Sequence, residues 1–210
     1  MTNYLLELVN RTLGIDSKTG LASDDGGTTH FEHVMTFFSV ALQMKATKIL
    51  ELGVRQGGST FPFLVACKVL NGKLTSVDIN NPSFQLRDEN LKPFWNFIKS
   101  DAIKFLENNE EKYDLIYVDD WHSYPHVKKE LELIDKFADE ETIILLHDLM
   151  GMSHHPNYFQ PLNWNPKEEW GEGGPYRAVA ELDTEKWEWM TLPVNHGLTL
   201  LRKKSKVITS

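Results

Sequence analysis

Short β-branched and leucine-rich runs alternate with amphipathic stretches along most of this 210-residue chain, and that alternation limits the fold more than any other feature. Residues 48–52, 74–79, 95–99, 113–118 and 142–146 read as strands. Helical patterns at 60–70, 101–108 and 124–138 separate them. Strands joined through helices require right-handed crossovers and a parallel sheet covered on both faces, so the expected class is α/β and doubly wound. A helix over 31–44 precedes the first strand, and 16–29, rich in Gly, Ser, Thr and Asp, reads as a loop. After the fifth strand the periodicity stops. Residues 151–174 carry His, Asn, Pro, Gly and Trp, as a lid or binding loop does. A last helix at 176–182 and two strands, 187–192 and 198–202, follow, the strands forming an antiparallel hairpin about 193–197. No repeat or second core is visible, so one domain over 1–210 is expected, with 1–46 a helical and loop cap and 150–174 an inserted lid.

The first strand runs into Ile-Leu-Glu-Leu-Gly-Val-Arg-Gln-Gly-Gly-Ser-Thr at 49–60. Glycines allow positive φ and close backbone approach, and the N–H groups of a helix start favour an anion or a polar ligand edge. This is the pattern of a nucleotide-binding turn. Asp78, closing the next apolar run, is the acid expected to face a ribose. A dinucleotide site requires G-x-G-x-x-G, whose middle glycine lets the backbone meet a pyrophosphate. Arg55 stands at that middle position, two after Gly53, and its side chain would crowd the approach. What remains is Glu51-x-Gly53-x-x-x-Gly57-x-Ser59.

That spacing resembles the first motif of the class I S-adenosylmethionine-dependent methyltransferases, with Asp78 at the place of their ribose-binding acid. The resemblance continues through Ser100-Asp101-Ala102, similar to the segment that meets the adenine, and through Tyr113 to Asp119, and it covers roughly residues 47–202. It implies a Rossmann-like, seven-stranded, mostly parallel sheet in the order 3-2-1-4-5-7-6 and S-adenosylmethionine as cofactor. Glu51, Gly53, Gly57, Ser59, Asp78, Ser100, Asp101 and Asp119 would line its site. Ser100-Asp101 also reads as a helix N-cap, and one residue can serve both roles.

The densest polar cluster, Asp119-Asp120-Trp121-His122-Ser123-Tyr124, ends the fourth strand, and His147-Asp148 ends the fifth. In that topology the two strands are neighbours, so Asp119 and Asp148 would be close. Paired buried carboxylates repel unless one is protonated or a cation lies between them, and Mg²⁺ takes such oxygens. The cluster is similar to the metal-dependent O-methyltransferases of the catechol type. Asp-x-x-His-Ser-Tyr with a later His-Asp is closer to the branch of macrolide-sugar and cephalosporin-pathway enzymes. The catechol pattern places Asn after its second acid; here Leu149 stands there and cannot coordinate, so Asp120 or water would complete the shell. His122 is the candidate base, able to take the proton of an attacking hydroxyl. His147 alternatively points into the sheet. Tyr158, Trp164 and Trp170 would shape a lid.

Composition narrows the rest. A net charge of -8 argues against a nucleic-acid surface. The lone Cys67 lies in an apolar helix and fits a buried residue in a reducing compartment. No apolar run reaches the ~18 residues of a membrane span. A cytoplasmic enzyme acting on a small-molecule or sugar hydroxyl is expected, with homodimer formation possible through the 31–44 helix. An NAD-linked oxidoreductase or epimerase and a non-catalytic cofactor-binding subunit are the competing readings.

Overall fold

The seven strands form one sheet whose spatial order, counted along the chain, is 3-2-1-4-5-7-6. The computed structural model describes residues 4–6, 8–9, 33–150 and 173–205. The order is the expected one. The chain gathers into two compact units, residues 1–102 and 103–210.

In the first unit, α1 (Val34–Met44) buries Val34, Phe37 and Ala41, spaced on one face, and packs against α2 (Thr60–Leu70). Strand β1 (Lys48–Leu52) pairs in parallel with β2 (Lys73–Asp78), and β2 pairs in parallel with β3 (Trp95–Lys99). Helix α2 is buried on all sides from Thr60 to Cys67, as a core helix is rather than a surface one. Cys67 is fully buried, and burial pushes its thiol up to about 12, so it stays protonated and inert. A 3₁₀ turn, Lys92–Phe94, precedes β3. The sequence pattern did not suggest it, because Pro93 punctuates a stretch without periodicity. Helix α3 (Ala102–Glu107) follows β3.

In the second unit, β4 (Leu115–Val118) and β5 (Ile143–His147) are parallel, while β7 (Leu198–Lys203) is antiparallel to both β5 and β6 (Trp187–Leu192). The hairpin is the expected one. Its loop runs through Asn195, His196 and Gly197, all at positive φ. Helix α4 (Tyr124–Ile134) packs against α5 (Gly174–Ala180). It stops four residues before the expected end, at Ile134 rather than Ala138. Lys203 Nζ donates to the carbonyls of Asp135 (2.8 Å) and Ala138 (2.7 Å), satisfying groups that would otherwise require another turn.

No helix among the described residues is long and apolar enough to cross a membrane. The lid at 151–172, with His154, His155, Tyr158, Trp164 and Trp170, and the loop at 16–29 lie outside the described residues, as does most of the amino-terminal cap.

Candidate active site

The glycine turn of the first unit is built around two acids with different tasks. Glu51 on β1 has no exposed surface, and its carboxylate accepts from the hydroxyls of Ser59 (2.6 Å), Thr60 (3.0 Å) and Ser76 (2.5 Å). It therefore ties β1, β2 and the start of α2 together. Ser59 spends its hydroxyl on this bond and does not cap α2. Asp78, at the end of β2, accepts from the backbone N–H of Val54 (2.9 Å) and Arg55 (3.1 Å) through one oxygen and from Asn80 (2.8 Å) through the other. The expected ribose acid thus also holds the turn, with its side chain still partly exposed.

Gly53 and Gly57 take φ of 89° and 77°, values that favour glycine, and Arg55 adopts φ 46° with its side chain exposed. A Cβ on Gly57 would come within 2.5 Å of the Phe84 ring, which stacks on Trp95. Ser83 adds two bonds to the Arg55 carbonyl, so the loop after β2 folds back over the turn. The Ser100 N–H donates to the Asp78 carbonyl at 3.0 Å, bringing the β2 and β3 ends together, and Asp101 is exposed beside it. Glu51, Gly53, Gly57, Ser59, Asp78, Ser100 and Asp101 accordingly lie along the carboxyl ends of β1 to β3. Alanine at Gly57 is expected to impose left-handed strain and a displaced Phe84 together. We expect cofactor affinity to fall at least as far as stability, read by calorimetry and thermal melting of the variant.

The second unit assembles the acids. Asp119 follows β4 and Asp148 follows β5, and His122 Nε2 lies 3.1 Å from an oxygen of each. The parallel register, Val118 against Leu146, explains the approach of residues that end neighbouring strands. Asp148 takes φ 65°, a left-handed backbone rare outside Gly, Asn and Asp, of the sort retained at functional sites. His147 is fully buried, and its Nδ1 lies 3.4 Å from Asp119 and 3.3 Å from Asp148. Burial opposes its charge, but Asp119 and Asp148 outweigh this and raise its pKa to about 10. Leu149 is buried and has no donor atom, as its identity required.

Two contributors were not anticipated. Tyr117 donates its hydroxyl to Asp119 at 2.9 Å from within β4. His196, in the hairpin loop, reaches to 4.0 Å of Asp148, and Met150 N–H donates to its carbonyl. The pairing of His147 with Leu198 in the β5–β7 register places this loop beside Asp148. Asn195-His196-Gly197 between two strands was the available signal. Asp120, a candidate third ligand from sequence, turns instead to His126 at 2.9 Å and is not brought to Asp119 and Asp148.

Asp119, His122 and Asp148 present ligand atoms all within 4.8 Å of one another. Two carboxylates with an imidazole suit a divalent cation in donor type and charge.

Residues 50–149 match the model of a methyltransferase domain. No curated protein matches the chain in sequence. Among solved structures, the S-adenosylhomocysteine-bound methyltransferase PaMTH1 of Podospora anserina is similar over 98% of this chain and 89% of its own, with TM-score 0.66 and 20% identity. The O-methyltransferase TomG of Streptomyces achromogenes, solved with S-adenosylmethionine and involved in tomaymycin synthesis, gives TM-score 0.65 and 14% identity over 96% and 90%. A Bacillus cereus O-methyltransferase bound to S-adenosylhomocysteine gives 0.58 and 13% over 96% and 91%. Strand order and overall likeness are those of the class I methyltransferase fold. Residues 50–149, from β1 to β5, thus carry the pattern of a methyltransferase domain on that fold.

Proposed function

We propose that this chain is an S-adenosylmethionine-dependent methyltransferase that acts on oxygen, methylating a hydroxyl of a small molecule or sugar with His122 as the base and Mg²⁺ held by Asp119 and Asp148. One observation carries the reading: a single imidazole nitrogen stands 3.1 Å from both acids that end β4 and β5. The O-methyltransferases among the similar structures support the choice of oxygen.

His122, its Nε2 N–H given to the acids, takes the hydroxyl proton on Nδ1 as the oxygen lone pair bonds to the methyl carbon. The sulfur–carbon bond breaks toward sulfur, giving S-adenosylhomocysteine. Asp119 and Asp148 then face an imidazolium whose charge they offset. Tyr117 and His147 fix Asp119, so the base is held by side chains that are themselves locked. A divalent ion bound by the two acids would lower the pKa of the acceptor hydroxyl. For the rest, the chain need only position: an in-line displacement gains most of its rate from orientation. In the first unit, Asp78, Gly53 and Gly57 would hold the methyl donor, and Glu51 would act through the turn it braces.

Transfer of a labelled methyl group to a panel of catechols, phenols and glycosides tests the proposal. Label is expected on oxygen, with turnover lowered by EDTA and restored by Mg²⁺. Transfer only to amine or thiol acceptors would contradict the choice of oxygen. Turnover indifferent to EDTA would remove the metal and leave Asp119 and Asp148 as a metal-free pair.

A further inference from the structure

A second cluster shares the β4–α4 connection and takes no part in the chemistry above. Asp120 follows Asp119 directly, yet its side chain goes to α4, where His126 and Glu130 stand four residues apart on one helix face. His126 Nε2 is 2.9 Å from Asp120 Oδ2 and 3.7 Å from Glu130 Oε1. Glu130 is fully buried. Both of its oxygens, and Asp120 Oδ1, are buried without a hydrogen-bond partner among the described residues.

An ion pair alone does not account for this arrangement. A protonated His126 directs one N–H at the cluster, and at 2.9 Å that proton belongs to Asp120; 3.7 Å to Glu130 is beyond hydrogen-bond reach. Three buried carboxylate oxygens remain unanswered, each at the cost of a desolvated polar atom. The ligand atoms of the three residues lie within 4.8 Å of one another. Donors bonded to one tetrahedral ion at about 2.1 Å lie about 3.4 Å apart, between the two separations observed.

We propose that Asp120, His126 and Glu130 form a structural site for a divalent first-row transition metal, separate from the Asp119–Asp148 pair. Two carboxylates with a neutral imidazole match the ion's charge, and the nitrogen donor selects Zn²⁺, Co²⁺ or Mn²⁺ over Mg²⁺ or Ca²⁺. Bound there, the ion would pin the loop carrying Asp119 and His122 to α4.

The test uses the full chain carrying Asp119→Asn and Asp148→Asn, so that the first cluster cannot bind. Titration with Co²⁺, followed by its visible absorption, is expected to show one equivalent bound, and Zn²⁺ is expected to raise Tm by several degrees. Adding His126→Ala should abolish both the absorption and the Tm shift, and Glu130→Gln should do the same. If Glu130→Gln does not fold, His126→Ala alone decides. No stoichiometric Co²⁺ in the double variant, or binding that survives His126→Ala, overturns the site. Neither result depends on methyl transfer, so its failure is distinguishable from failure of the proposed activity.

Discussion

Replacing His122 with alanine is expected to lower kcat by about 10²–10⁴-fold, the usual contribution of a positioned general base, while affinity for S-adenosylhomocysteine barely changes. The separation follows from where the residue sits. His122 contacts Asp119 and Asp148, whereas the groups expected to hold the donor are on β1 to β3. Glutamine, which keeps a polar side chain but cannot serve as a base near neutral pH, should lose as much turnover as alanine. Single-turnover methyl transfer alongside calorimetry checks both. Equal losses of affinity and turnover would show that the histidine is structural.

The largest expected loss of stability is at Glu51. Alanine there removes the common acceptor of three hydroxyls, Ser59, Thr60 and Ser76, at a fully buried position. At about 1 kcal/mol for each orphaned hydroxyl the sum is about 3 kcal/mol, taken at the low end of the usual range. For a chain of this size that corresponds to a Tm lower by about 6–12 °C. Glutamine keeps one acceptor oxygen and should cost about a third as much. A melt of Glu51→Ala within 2 °C of wild type would mean that the bonds do not brace the turn.

The strand order, the hairpin and the turn were legible because each rests on local signals: apolar runs of strand length, glycines at a strand end, a loop of turn residues. The expected closeness of Asp119 and Asp148 followed from topology alone. The features that the sequence does not reveal are set by side-chain direction. Consecutive residues leaving a strand point to opposite sides, so Asp119 and Asp120 serve different clusters although the sequence shows them as one acidic pair. His196 reaches Asp148 through a register between β5 and β7, and Tyr117 looks from sequence like any apolar strand residue. Glu130 reads as a surface acid in a run of charges, Lys128-Lys129-Glu130, yet it falls on the face of α4 that also buries Val127 and Ile134. The end of α4 departs from the sequence pattern because its determinant, Lys203, lies 69 positions beyond Ile134.

Arg55 shows the limit in the other direction. Its side chain was expected to exclude a pyrophosphate, and it does lie on the exposed side of the turn. Its backbone carries more of the structure: a positive φ and an N–H given to Asp78 join the turn to the end of β2. The acid that would face the donor's ribose is therefore the same acid that shapes the donor's loop.

Calorimetric titration of the full chain with S-adenosylhomocysteine, in wild type and Asp78→Ala, bears most directly on that link. One molecule should bind per chain, with affinity at least about 10-fold weaker in the variant, equivalent to the loss of one or more hydrogen bonds to a charged group. No binding by wild type, or equal affinity in both proteins, would contradict the account of the glycine turn as the donor site.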